Sequence, residues 1–178
     1  VNPSDSDNEQ LQRYAQTIRD LRISHEAGHA VLAEHFGYEL LNLSLDAIVS
    51  ADGATGGSAE IPFRMYPKRS DFDKQLQDIA TVLMGGIASE ELTHPHLAKQ
   101  SHGQKDVSEF KGRIAEFRSD AEMDALLEEG YRKAKSLLSN PEISEQHNRL
   151  RRFLTAEPDV QQPNGRYLRQ VMKGLNHE

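Results

Sequence analysis

Apolar residues recur at helical spacing from Leu11 onward: Leu11, Tyr14, Ala15, Ile18 and Leu21, then Leu32 and Phe36. His25, Gly28 and His29 fall in the gap of that stripe and on the same face. The pattern predicts one long helix, or two abutting ones, ending near Phe36 with Gly37 as the stop. The period then changes. Leu41, Leu43 and Leu45 alternate with Asn42, Ser44 and Asp46, which predicts a half-buried strand. A turn at Ala51-Asp52-Gly53 and the run TGGSAEIPF predict a second strand, and Pro62 confines it to an edge or ends it. One small hairpin results.

From Ser70 the helical period returns, with Phe72, Leu76, Ile79, Leu83, Ile87 and Glu90 on one face and Gly85-Gly86 in the middle. Each glycine costs roughly 0.5–1 kcal/mol against alanine inside a helix, so a close approach to the backbone is expected there. Residues 93–104 read as a polar loop carrying His94, His96 and His102. Helical stretches follow at 105–118, 120–139 and 142–156, and PNGRYLRQVMKGL predicts a short terminal helix. The fold class expected is mainly α, about six helices packed with one small β-hairpin. Residues 1–9 are expected to be a disordered lead or linker, and residues 10–178 one domain. Leu126, Leu127, Tyr131, Ala134, Leu137 and Leu138 are expected in the core.

Composition narrows the function. The 178 residues carry 21 Lys and Arg against 28 Asp and Glu, a formal net charge of −7. That argues against general nucleic-acid binding, which needs a surplus of cations. There is no cysteine, so disulfides, thiolate-bound metals and thiol nucleophiles are excluded. No apolar run approaches the ~20 residues of a membrane span. Composition leaves the compartment open, with the cytoplasm as the expectation.

The chemistry lies in His25-Glu26-Ala27-Gly28-His29, an H-E-x-x-H on a helix. Histidines at i and i+4 lie one turn apart on one face, so both imidazoles can reach one ion. Glu26 is offset by about 100°, where its carboxylate meets a water bound to that ion rather than the ion itself. Zinc lowers the pKa of such a water to about 7, and a carboxylate that takes its proton makes a nucleophile. Alanine and glycine between the histidines leave a bare helix surface for a backbone or a substrate. Two histidines do not complete a zinc site, which wants three protein ligands and an open position. Spacing does not choose among Glu90, His94, His96, His102 and Asp106 for the third.

Several ordered motifs together resemble the peptidase domain of the FtsH-type ATP-dependent zinc metalloproteases. HEAGHAV at 25–31 matches that family's HEAGHA signature. TGGSAEIP at 55–62 is similar to its edge-strand segment, LGxTxxxP, with Gly56 and Pro62 retained and Ser58 where threonine is usual. MGGIASEEL at 84–92 resembles its GGRxAEE helix, with Ile87 in place of arginine. Asp106, within HGQKDV, stands where the family places an aspartate ligand, in a different local context, and YRKAKSLL at 131–138 is like its C-terminal helical region.

The resemblance covers roughly residues 18–140. It implies a zincin-like fold, His25, His29 and Asp106 as zinc ligands, Glu26 as the catalytic base, and Glu90 orienting a ligand histidine. It also implies a substrate strand beside Gly56, Gly57 and Ser58. No G-x-x-x-x-G-K-[ST] phosphate loop occurs, so any unfolding ATPase would be a partner or belong to a longer chain. The expected function is a zinc-dependent, ATP-independent endopeptidase acting on unfolded or flexible polypeptides, alone, as a homo-oligomer or with a partner ATPase. The alternative is a non-catalytic metal-binding module that holds extended peptide segments. A regulatory protease acting on one specific protein is a third possibility.

Overall fold

The computed structural model describes residues 5–49, 55–97, 103–157 and 163–175, without the side chains of 5–7, 46–49 and 55–57. The elements run α1 (Asp5–His35), β1 (Asn42–Val49), β2 (Thr55–Glu60), α2 (Phe72–Leu83), α3 (Gly85–Thr93), α4 (Gln104–Ile114), α5 (Asp120–Leu138), α6 (Pro141–Ala156) and α7 (Gly165–Lys173). The architecture is mainly helical with one two-stranded antiparallel sheet. No helix among the described residues is long and apolar enough to cross a membrane.

α1 is a single helix of 31 residues, roughly 46 Å long. It takes in residues 5–9, which lie in the segment expected to be a disordered lead. Residues 8–16 find no cover. Leu11 and Tyr14 are 62% and 67% exposed, so the core face begins only near Leu21 and the two do not join the buried stripe. From Ile23 to Ala33 the helix is buried on almost every side, which requires neighbours all round. α3, α6, α2 and the hairpin supply them.

The hairpin follows the alternation read from the sequence. Leu43 and Leu45 are buried, and Leu43 pairs with Ala59 and Ser44 with Ser58. The register shifts between Ser44 and Ile48, and Ile48 then pairs with Gly56. Leu41 lies just outside the strand and is exposed. β2 stops at Glu60, two residues before Pro62. Among the described residues no strand covers its outer edge. The turn expected at 51–53 lies outside the described residues.

The helix read over 72–90 is two helices, broken at Met84. Two glycines in succession make continuation expensive, and the break frees carbonyls at the end of α2. α4 ends at Ile114, earlier than the expected 118, and Ser119 opens α5 with a reciprocal bond to Glu122. Asn140 and Asn164 cap α6 and α7 with their side-chain oxygens, and Gly174 ends α7 in the left-handed conformation. Leu127, Ala134 and Leu138 are buried, with Leu126, Tyr131 and Leu137 packed against them, as core residues.

Two apolar clusters form the interior. One gathers Ile23, Val31 and Leu32 of α1 with Leu43 of the hairpin and Leu150, Leu154, Leu168 and Met172 of α6 and α7. The other gathers Phe72, Leu76 and Ile79 of α2 with Phe110, Ile114, Met123 and Leu127 of α4 and α5. α3 lies at the seam, giving Ala88 to the first and Ile87 to the second. The histidines of α1 face that seam.

Candidate metal centre

α1 and α3 meet almost backbone to backbone. A Cβ on Gly28 would lie 2.3 Å from the Gly85 carbonyl oxygen, and a Cβ on Gly85 would lie 2.9 Å from that of Gly28. A Cβ on Gly86 would lie 2.4 Å from Nε2 of His25. The bare surface between the histidines and the glycine pair of α3 are therefore two sides of one contact. Gly86 leaves the space that the His25 ring fills.

Both imidazoles are anchored through Nδ1. His25 Nδ1 lies 2.8 Å from Glu90 Oε1, and His29 Nδ1 lies 2.8 Å from the Val82 carbonyl at the end of α2. A carbonyl only accepts, so Nδ1 of His29 carries the proton. A His25 proton on Nδ1 donates to Glu90 Oε1 in the same way. Each neutral ring then presents a bare Nε2 lone pair.

The two Nε2 atoms point at one carboxylate. Asp106 Oδ2, in the first turn of α4, lies 3.2 Å from His25 Nε2 and 3.6 Å from His29 Nε2. The three ligand atoms all lie within 4.8 Å of one another. Ligand atoms at 2.0–2.2 Å around one tetrahedral ion stand about 3.3–3.6 Å apart, and the imidazole–carboxylate separations of 3.2 and 3.6 Å lie within about 0.1 Å of that range. Three acceptors facing each other repel unless a cation or a proton lies between them. His25, His29 and Asp106 could hold a metal ion. Gly103 lets the chain enter α4 against α3, since a Cβ there would lie 2.1 Å from Ile87 Cδ1.

Without a cation, protons supply the positive charge. Burial opposes a charge on His25, but its bonds to Asp106 and Glu90 and the charge of Glu26 outweigh it and push the imidazole up to about 10. His29 shifts upward for the same balance, with Asp106 against burial. Burial would raise Asp106, yet the two imidazoles hold it well below the usual carboxylate range.

Glu26 is 4% exposed and stands outside the ligand set, with no hydrogen bond to a described residue. Burial raises its pKa, and the neighbouring imidazoles only partly offset that. A carboxyl poised in this way can both accept and return a proton.

The remaining candidates sort plainly. Glu90 is 3% exposed and bonded to His25. His94 is half-buried and bonded to Thr93, His96 is exposed, and His102 lies outside the described residues. Gly56, Gly57 and Ser58 lie on β2, with Ser58 exposed. Sequence reasoning missed the Val82 carbonyl, which carries no side-chain signal. It also missed His147, whose signal was its place in the apolar stripe of Ile143, Leu150 and Leu154. No protein-family model matches the chain, and no curated protein matches its sequence.

Proposed function

We propose that the protein is a zinc-dependent endopeptidase that hydrolyses unfolded or flexible polypeptides without ATP, after the manner of the FtsH-type peptidase domains it resembles. The observation that carries this reading is the convergence of His25 Nε2, His29 Nε2 and an Asp106 oxygen beside a buried carboxyl, Glu26, that belongs to none of them. Nitrogen and carboxylate oxygen ligands in a three-ligand set favour zinc with an open position for chemistry. When bound, zinc supplies Lewis acidity, acidifying water and polarising a carbonyl oxygen.

Glu26 accepts a proton from the attacking water as the new C–O bond forms at the scissile carbonyl. It then returns that proton to the amide nitrogen as the C–N bond breaks, so the carboxylate is regenerated. Glu90 and the Val82 carbonyl hold the imidazole planes throughout. A substrate in extended form adds to the outer edge of β2 near Gly56–Ser58 through main-chain bonds. Recognition of that kind reads little of the side chains, which suits an enzyme for unfolded chains.

The test compares cleavage of a casein-like unfolded substrate by wild type and Glu26→Gln, with zinc content measured on both. The expected result is a loss of about 100-fold or more in turnover at full zinc occupancy. Equal turnover would refute the base. A wild type that binds zinc but cleaves nothing would favour the peptide-binding module instead.

A further inference from the structure

Beside the metal centre lies a second buried polar chain that takes no part in holding an ion. Ser89 Oγ of α3 donates to the Ser24 carbonyl of α1 at 2.6 Å. Its hydroxyl proton is thereby committed, so the contact of 2.8 Å with His147 Nε2 of α6 is one in which the imidazole donates. Ser24 and Ser89 are 0% exposed and His147 5%. Burial, with Arg151 adding to it, pushes the His147 pKa down to about 4, so the ring is neutral at pH 7 and its proton sits on Nε2.

The position of this chain matters more than its burial. Ser24 precedes His25, and Ser89 precedes Glu90. The Ser89–Ser24 bond and the His25–Glu90 bond are consecutive rungs between α1 and α3, each joining residues 65 positions apart. Ser89 also sits over the tightest point of the crossing, since a Cβ on Gly28 would lie 2.7 Å from Ser89 Cβ. Apolar contact between glycine and alanine surfaces is non-directional and does not fix one helix along another. A slip of one residue is about 1.5 Å along the axis, enough to break a hydrogen bond of normal length.

We propose that Ser89, oriented by His147, is a positioning residue that fixes the register of α3 on α1, keeps Glu90 on Nδ1 of His25, and so raises the affinity of the site for its metal. This rests on the metal-holding half of the reading above and not on hydrolysis. His147 closes the hydroxyl's remaining orientation, so its proton points only at Ser24. α6 thereby reaches the metal centre through two residues, neither of which touches the ion.

The experiment measures zinc affinity by chelator competition for wild type, Ser89→Ala, His147→Leu, His147→Gln, Glu90→Gln and the Ser89→Ala/Glu90→Gln pair, with the thermal midpoint of each metal-free protein alongside. Ser89→Ala and His147→Leu are expected to weaken zinc binding about tenfold or more, and His147→Gln, which keeps a donor, to restore part of it. The double variant is expected to bind no more weakly than Glu90→Gln alone, because Ser89 acts through Glu90. A lower thermal midpoint with unchanged affinity, or additive losses in the double variant, overturns the proposal. Should His147→Leu fail to fold, Ser89→Ala decides.

The His25 Nδ1 proton resonance in metal-free protein gives a readout that needs no ion. It is expected to shift or vanish in Ser89→Ala, and an unchanged resonance overturns the register role. A wild type that binds zinc with this affinity pattern but cleaves no substrate would defeat the peptidase reading and leave the register role standing.

Discussion

Gly28 and Gly85 face each other across the α1–α3 crossing, each with its carbonyl where the other's side chain would be. That contact sets the distance between the helix carrying both histidines and the helix carrying Glu90. It also explains why two glycines stand in succession at the start of α3. Gly85 admits the α1 backbone and Gly86 admits the His25 ring.

Gly28→Ala therefore tests the crossing directly. The new methyl would stand 2.3 Å from a backbone oxygen that no rotamer can move. Overpacking of this kind costs about 1–3 kcal/mol, read by urea unfolding of metal-free protein, and zinc affinity should fall with it as Glu90 leaves His25. Gly112→Ala is the control, because nothing lies within 4 Å of a Cβ there in α4. It should stabilise by roughly 0.5–1 kcal/mol. Similar effects from both variants would mean the crossing is looser than described.

Much of this site was legible in the residues because its parts are local. The i, i+4 histidines, the intervening Ala27-Gly28 and the Gly85-Gly86 pair each announce a bare helix surface within one or two turns. Asp106 was different. It lies 81 positions from His25, and no spacing rule spans a hairpin and two helices, so only resemblance singled it out from four other candidates. Leu11 and Tyr14 show the opposite failure. Their period correctly marks a helix, but periodicity says which residues share a face and not whether anything covers it. The break at Met84 was half visible. Two glycines flagged a cost, while the gain, a freed Val82 carbonyl that holds His29, needed the third dimension.

Asp106→Asn removes the only anion in the candidate ligand set while keeping its size. Two neutral imidazoles and a weakly donating amide oxygen remain. Zinc affinity should fall by more than the roughly 10–100-fold that loss of an outer partner costs. Chelator competition measures this, and Glu90→Gln supplies the milder comparison. If the two losses are equal, Asp106 is no ligand.

His147 gives the fold an acid-sensitive limb. Its pKa is about 4 in the folded state against 6.5 ordinarily, because burial disfavours the charged ring. Between those values the unfolded chain binds a proton that the folded one does not, so stability rises with pH there. The contribution is complete above pH 6.5 and is lost as pH falls toward 4, about 3 kcal/mol in all. His147→Gln should flatten the urea-unfolding profile between pH 6.5 and 4 relative to wild type. Parallel profiles would show that the ring charges as easily folded as unfolded.

A metal ion entering between His25, His29 and Asp106 would have to displace protons. In metal-free protein the gap between three acceptors is filled by protons, and His25 holds one up to about pH 10. At pH 7 each ion that enters should therefore release at least one proton, and apparent affinity should fall about tenfold per pH unit on acidification for each proton displaced. Titration calorimetry in two buffers of different ionisation enthalpy counts that release. The same coupling stabilises the fold, by about 2.7 kcal/mol when free zinc is 100 times its dissociation constant. A chelator should lower the thermal midpoint accordingly. Zinc binding with no proton release would mean that the ion sits elsewhere than between His25, His29 and Asp106.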